Sequence, residues 1–330
     1  MNSPVLVTGG TGFVGSHLVE RLIELGAGVR CLVRRGSSLR YLPVAAVELC
    51  YGDLATGAGL KEALEGVETV FHVAGVTKAN SSAEYYRGNV SATGNLLRAC
   101  EESGQPPRRF VQVSSLAAVG PSPDAGLLAE EAEPRPLTHY GKSKLEAERA
   151  VRASRLAPNA AIVRPPVVYG PRDTDVYRVF RGISNGLMLR IGRQESLFSF
   201  IYVKDLADAL VAAAWSPRAP AGTFFVANPE PVSWTEFGAI AASIMGRKVR
   251  TVAVPAAVAY AVGWCAEIAS RLRRKPGIVS REKVREARCR YWTCDTRKAR
   301  EELGFSARHS LRDGMSETLL WYKNARWLTF

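Results

Sequence analysis

Three groups of residues in this chain of 330 could do chemistry together. The first is Tyr140-Gly141-Lys142-Ser143-Lys144, in which the phenol of Tyr140 and the ammonium of Lys144 are four residues apart and so share one face of a helix. A phenol with a pKa of about 10 is a poor base at neutral pH, and a neighbouring cation favours its phenolate. The second group is Ser114-Ser115, which follows the apolar run Phe110–Val113; Ser115 lies 25 residues before Tyr140. A serine hydroxyl there can donate to, or accept from, the same substrate oxygen as the tyrosine. The third is Thr8-Gly9-Gly10-Thr11-Gly12-Phe13-Val14-Gly15, in which Gly10, Gly12 and Gly15 fit G-x-G-x-x-G and Gly9, Gly12 and Gly15 fit G-x-x-G-x-x-G. Glycines in such a loop let backbone N–H groups approach a pyrophosphate at a helix N-terminus. A Tyr-x-x-x-Lys spacing alone is usually a solvated helix face, and a glycine loop alone an ordinary turn. With the glycine loop first, the serines next and the Tyr-x-x-x-Lys pair after them along one chain, the spacing is no longer that of a bland helix face.

A site for NAD normally has Asp or Glu at the end of its second strand, where the carboxylate binds the ribose 2′-hydroxyl. Here that strand ends Leu32-Val33-Arg34-Arg35, and no acidic residue occurs between Glu24 and Glu48. Arg34 suits a planar clamp on a 2′-phosphate, which favours NADP over NAD; two solvated surface arginines are the alternative.

The elements that must position these groups alternate apolar β-branched runs with amphipathic helical stretches, the pattern of a parallel sheet covered by helices. Strands are expected at Val5–Val7, Val29–Val33, Val44–Leu49, Thr69–Val73, Phe110–Val113 and Ala161–Val163. Helices are expected over Leu18–Leu25, from Leu60, over Val90–Ala99 and over Ser143–Ala153. The fold class is therefore α/β, a Rossmann doubly wound parallel sheet with a smaller, interleaved C-terminal substrate lobe. Residues 1–168 with about 198–218 form the dinucleotide-binding domain, and 169–197 with 219–330 the substrate-binding lobe. The second part reads as irregular and rich in arginine.

Hydrophobic residues at 47% and charged residues at 23% exclude wholesale disorder. The net charge of +13 is local: residues 1–170 carry 18 basic and 16 acidic side chains, whereas 271–300 carry 12 basic residues against Glu282, Glu286 and Asp295. Six cysteines without a C-x-x-C pair and only four histidines argue against a disulfide framework or a metal site. The start of the chain shows no basic-then-apolar leader, so a cytoplasmic location is expected.

At this point the residues resemble the extended short-chain dehydrogenase/reductase superfamily, also called the NAD-dependent epimerase/dehydratase family. The resemblance runs through TGGTGFVG (8–15), Gly52-Asp53-Leu54, Phe71-His72-Val73-Ala74-Gly75, Asn89-Val90, Ser114-Ser115, YGKSK (140–144), RPPVVYGP (164–171), IYVKDLADA (201–209) and CDTRKAREELGF (294–305). It implies Ser115, Tyr140 and Lys144 as a catalytic triad, Ser115 being chosen by its offset from Gly120. It implies that Lys144 holds the nicotinamide ribose, with Gly9, Gly12, Phe13, Val14 and Gly15 at the pyrophosphate. Asp53 and Leu54 fall near adenine, Ala74 and Gly75 along the cofactor, and Pro165, Val167 and Val168 beside the nicotinamide. Tyr85, Tyr86, Phe198 and Tyr202 become candidates for the substrate cleft, with ordinary core packing as the alternative.

Within the superfamily, SSLAAVGP (114–121) and Arg34 look like the 3β-hydroxysteroid dehydrogenase and dihydroflavonol reductase branch. Phe198-Ser199-Phe200 stands where many sugar-nucleotide enzymes carry Arg-Asp. The segment Val252–Ala269 has one charge, Glu267, and precedes the basic run Arg271–Lys275. A buried or subunit-facing helix is the first reading of it, and peripheral membrane contact through 252–275 the alternative. The expected activity is an NADP(H)-dependent oxidoreductase that interconverts a secondary alcohol and a ketone on a small, bulky hydrophobic substrate of sterol, β-keto or flavonoid-like type. The expected assembly is a homodimer, without specific nucleic acid. Two alternatives stand beside it. One is a nucleotide-sugar epimerase or dehydratase using Arg172, Arg178, Arg181, Arg190 and Arg193 for diphosphate. The other is a membrane- or RNA-binding module on an inactive Rossmann scaffold.

Overall fold

The computed structural model describes residues 4–216, 221–273, 277 and 280–330. Its centre is a seven-stranded, all-parallel sheet. The first six strands are β1 (Val5–Thr8), β2 (Val29–Val33), β3 (Glu48–Tyr51), β4 (Thr69–His72), β5 (Arg109–Val113) and β6 (Ala160–Arg164), and Gly222–Phe225 pairs beside β6 as the seventh. The spatial order β3-β2-β1-β4-β5-β6 followed by Gly222–Phe225 reverses direction between β1 and β4. Both faces are covered, so each strand distributes its side chains alternately between two cores. Val5, Val7, Cys31, Phe71, Val111 and Val163 pack on one side with Leu18, Leu22, Leu206 and Leu210. Leu6, Leu32, Val70, Phe110 and Ile162 pack on the other with Leu60, Leu64, Leu96 and Leu97.

The helices that matter for the site are α1 (Phe13–Glu24), α2 (Leu60–Leu64), α3 (Ser82–Tyr85), α4 (Ala92–Glu102) and α5 (His139–Ala153). A π-helical turn, Tyr86–Ser91, joins α3 to α4, so the helical stretch expected from Val90 begins nearer Ser82. The helix expected from Ser143 begins at His139 because the Thr138 side chain caps it, accepting from Gly141 N at 3.1 Å. The strand expected at Val44–Leu49 starts at Glu48, where pairing with β2 begins and Arg30 meets the Glu48 carboxylate at 2.8 Å; Val44–Ala46 forms a 3₁₀ turn after Pro43.

The C-terminal part is more regular than expected. Helices Val176–Ser184, Val203–Trp215, Trp234–Met245, Ala256–Arg273, Arg281–Ala287 and Leu311–Asn324 alternate with short strand pairs. An aromatic core holds much of it together, with Phe200 and Phe237 stacked at 4.6 Å and Phe180 and Trp234 stacked on Phe237. Two boundaries change. Gly222–Phe225, assigned above to the substrate lobe, is a strand of the central sheet. The segment Val252–Ala269 is not one helix: Arg250–Val254 is a strand paired with Leu187–Ile191, and the helix starts after Pro255. Proline lacks the N–H that a ladder needs but suits a helix start, so it marks the switch. The side chains of the basic run Arg271–Lys275 lie outside the described residues.

Candidate active site

Ligands of doubly wound sheets bind where the strand order reverses, outside the carboxyl ends of the strands. The reversal here lies between β1 and β4, and the loops leaving them touch. Gly9 adopts φ +74°, and a Cβ placed on it would sit 2.6 Å from Ala74 N, so only glycine allows the approach. The loop then enters α1, whose first turn has no side-chain cap and no acidic residue. Its N–H groups and the positive end of the helix dipole face the crevice as an anion site. Gly9, Gly12, Phe13, Val14 and Gly15 form this loop and turn, and Ala74 and Gly75 border it from β4. These residues fit the pyrophosphate of a dinucleotide.

Arg34 is exposed at the end of β2 and makes no ion pair among the described residues. The carboxylate at the start of the neighbouring strand, Glu48, is engaged by Arg30. Asp53 closes its own turn by accepting from Ala55 N at 2.8 Å, and Leu54 O accepts from Asn95.

The second half of the site is built on α5. Gly141 lets this helix press against the turn after β5: a Cβ at 141 would lie 2.2 Å from Ala117 O. The close approach brings the Tyr140 hydroxyl into hydrogen bond with the Ser115 side chain. The two adjacent serines divide their tasks. Ser115 faces Tyr140, whereas Ser114 is buried and donates to Glu148 Oε1 at 2.5 Å. Glu148 also takes both arms of the Arg164 guanidinium, at 2.9 and 2.7 Å. Burial alone would raise the Glu148 pKa, but Arg164, Ser114 and Arg152 outweigh it and hold the carboxyl below its ordinary range. This buried cluster ties α5 to β5 and β6 beneath the reacting groups.

Lys144 is buried, its Nζ donating to Val113 O at 2.6 Å. Burial lowers its pKa to about 8 against the opposing pull of Glu148. Gly75 lies beside it: a Cβ there would stand 3.6 Å from Lys144 Nζ and 3.2 Å from Asn89 Oδ1. Asn89, in the π-helical turn, is the brace that makes this arrangement. Its side chain bonds both the N–H and the C=O of Val76 and donates to Ser143 Oγ, which in turn donates to Tyr140 O. Pro165 O accepts from Leu116 N, and Val167 and Val168 continue from it as half-buried residues.

Of the proposed cleft aromatics, Tyr85 lies against Tyr140, ring centres 6.2 Å apart, and Tyr86 against His139 at 6.4 Å. The other two pack into hydrophobic clusters, Phe198 against the one that includes Leu116 and Val119 in the turn after Ser115. Tyr202 is fully buried in the aromatic core and donates to Glu317, and Phe198 rests on Trp234 and Phe200. No ring contact joins either to Tyr140 among the described residues.

Helix Arg281–Ala287 adds groups that no motif announced. Glu286 accepts from Thr138 Oγ1 at 3.0 Å, and Glu282 accepts from His139 N at 3.0 Å, so the helix clamps the N-terminus of α5. Between them Lys283 pairs with Glu286 at 2.7 Å and places its ammonium 5.9 Å from the centre of the Tyr140 ring. Burial works against this cation, but Glu286, Tyr140 and Tyr85 raise its pKa above the ordinary value. Burial likewise pushes the Tyr140 phenol up, and the bond from Ser115 and the charge of Lys283 pull it back. In sequence, the only signal at Glu282, Lys283 and Glu286 is an acidic pair inside the most basic stretch of the chain.

Comparison with known proteins places this geometry. Residues 5–227 match the model of the NAD-dependent epimerase/dehydratase family. The chain is 34% identical over 324 residues to the ceramide reductase of Caulobacter vibrioides, covering 98% of this chain and 96% of that protein. It is 31% identical over 337 residues to the 2-alkyl-3-oxoalkanoate reductase of Shewanella oneidensis, covering 95% and 84%. Among solved structures it is similar to MoeE5 in complex with UDP-glucose and NAD, with a TM-score of 0.77, 28% identity and coverage of 98% and 99%.

Proposed function

The chain belongs to the NAD-dependent epimerase/dehydratase family, with reductases among its relatives, and on that premise we propose that it reduces a ketone on a lipid-like chain with NADPH. The observation that carries this reading is the placement of Tyr140 against Ser115 at the start of α5, with the buried Lys144 one helical turn on and its Nζ next to Gly75 just past the end of β4. The dinucleotide, when bound along the α1 loop and Gly75, supplies the hydride for reduction or takes it in the reverse reaction. The protein's own groups handle the oxygen and its proton. Ser115 and Tyr140 hold one substrate oxygen between them. As negative charge grows on that oxygen, the Tyr140 hydroxyl delivers its proton, and the phenolate left behind is stabilised by Lys144 and Lys283. In the alcohol-oxidising direction the phenolate takes the hydroxyl proton.

Two further features support the finer reading. Arg34 faces solvent at the ribose end with no competing carboxylate, which suits a 2′-phosphate. A β-keto or similar lipid chain fits the substrates for which the two reductase relatives are named. The second reading, a nucleotide-sugar epimerase, has the similarity to MoeE5 in its favour. Against it, two of the arginines available for diphosphate are engaged: Arg172 with Glu20 and Ser16, and Arg190 with Glu195. Titration with NADP⁺ and NAD⁺ tests the cofactor assignment. Tighter binding of NADP⁺ that is lost in Arg34→Ser supports it, and equal affinities, or preference for NAD⁺, overturn it.

A further inference from the structure

Large apolar side chains that face solvent are concentrated in one region of the described surface. Leu189 and Val252 are register partners on neighbouring parallel strands and so point to one side of that strand pair, as does Leu187 two residues earlier. All three are exposed. The chain then passes Pro255 into helix Ala256–Arg273, where Val258, Val262, Trp264 and Ile268 are between 41% and 54% exposed. These positions, with Ala261 and Cys265, sweep one broad arc of the helix. No charged residue occurs on that arc between 256 and 268. The opposite side is the packed one: Ala259 is buried, a Cβ on Gly263 would stand 3.1 Å from the backbone of Ser280, and Glu267 pairs with Arg281 at 2.9 Å.

Charge decides what this face meets. Residues 271–290 carry nine basic side chains against Glu282 and Glu286, and both of those acids are committed to the N-terminus of α5. Arg281, Arg285, Arg288 and Arg290 are exposed, and Arg288 lies over the ring of Tyr260 on the apolar helix itself. A second copy of the chain would bring the same positive charge to the contact. An anionic surface would neutralise it. No helix among the described residues is long and apolar enough to cross a membrane, so the arrangement is that of a helix lying in an interface.

We propose that helix Ala256–Arg273 docks its Val258–Val262–Trp264–Ile268 arc on an anionic lipid bilayer, held there by the basic residues that flank it. Trp264 supplies the amphipathic ring that favours the headgroup level. Arginines and lysines near the surface add attraction that salt weakens. On the side away from this face, the docking helix packs on Ser280 and Arg281, the start of the helix that carries Lys283 to Tyr140.

Flotation of the full chain with phosphatidylcholine vesicles, with and without phosphatidylglycerol, tests this. The chain floats with the anionic vesicles, less at high salt, and the exposed substitutions Val262→Ser and Trp264→Ser together weaken flotation by about tenfold or more without lowering the melting temperature. Absence of flotation overturns the proposal, as does equal flotation of the double variant. If the double variant instead converts a dimer to a monomer, the face belongs to a second copy and the proposal is wrong.

Discussion

Replacing Lys283 by methionine removes a cation from beside the reacting phenol while keeping the bulk of the side chain. The ammonium is 5.9 Å from the centre of the Tyr140 ring. Two unit charges at that distance interact by about 0.7 kcal/mol in water and by about 2.8 kcal/mol at an effective dielectric constant of about 20. Lys283 is 49% exposed, so solvent screening puts the value near the lower figure, about 1 kcal/mol, or about 0.7 pH unit. The sign follows from which form the cation favours. Lys283 stabilises the phenolate, so its loss raises the Tyr140 pKa, and the rising limb of the oxidation rate against pH moves upward by about that amount. The measurement is initial rate against pH with NADP⁺ and a 3-hydroxy lipid, for wild type, Lys283→Met and Lys283→Arg. Lys283→Met also leaves Glu286, which raises the Tyr140 pKa, uncompensated, so comparison of Lys283→Met/Glu286→Gln with Glu286→Gln alone isolates the cation. Lys283→Arg keeps the limb in place, and KM changes little in each. A limb that stays at the wild-type pH in Lys283→Met, or that moves as far in Lys283→Arg, refutes the reasoning.

Other consequences follow from the same structure. Glu148→Ala leaves the Arg164 guanidinium, 2% exposed, without its partner, and should cost about 3–5 kcal/mol by urea denaturation; a loss below about 1 kcal/mol would mean the cluster does not anchor α5. Gly141→Ala puts a methyl 2.2 Å from Ala117 O, and the helix must retreat from Ser115; turnover should fall by about tenfold or more while the far-ultraviolet dichroism is retained. Unchanged turnover would show that the Ser115–Tyr140 contact is not required. Burial lowers the pKa of His17 to about 4 and of His72 to about 3, so both are neutral in the fold. As pH falls below about 6.5 the unfolded chain binds protons that the folded chain refuses, and stability declines by up to about 1.4 kcal/mol per pH unit for each histidine until the folded pKa is passed. Urea midpoints at a series of pH values check this, and a flat profile between the ordinary and lowered histidine pKa values would contradict it.

The parts of the fold that were legible in the sequence are those set by local chemistry. The glycine loop with its flanking strand and helix, and the helical spacing of Tyr140 and Lys144, depend on neighbours within a few residues. Apolar β-branched runs marked the central strands because both faces of the sheet are buried. What escaped depends on distant partners. Gly222-Thr223-Phe224-Phe225 is too short to show a period, and it becomes a strand only because β6 offers an open edge. Asn89 stood out only as part of a family motif with no role attached, and its role comes from Val76 and Ser143 meeting in space. Lys283 is 143 positions from Tyr140 and reaches it through the clamp on Thr138 and His139. For Tyr202 the resemblance offered the cleft and core packing offered the alternative, and the aromatic core and Glu317 enclose it.

The central claim is net reduction of a ketone by a tyrosine-centred proton relay. The direct test is to incubate the enzyme with NADPH and a 2-alkyl-3-oxoalkanoate and to measure NADPH oxidised against alcohol formed. The account predicts one alcohol for each NADPH, with a rate that falls by about 10²–10⁴ in Tyr140→Phe. A sugar nucleotide epimerised with no net loss of reduced cofactor, and no ketone reduced, would contradict it.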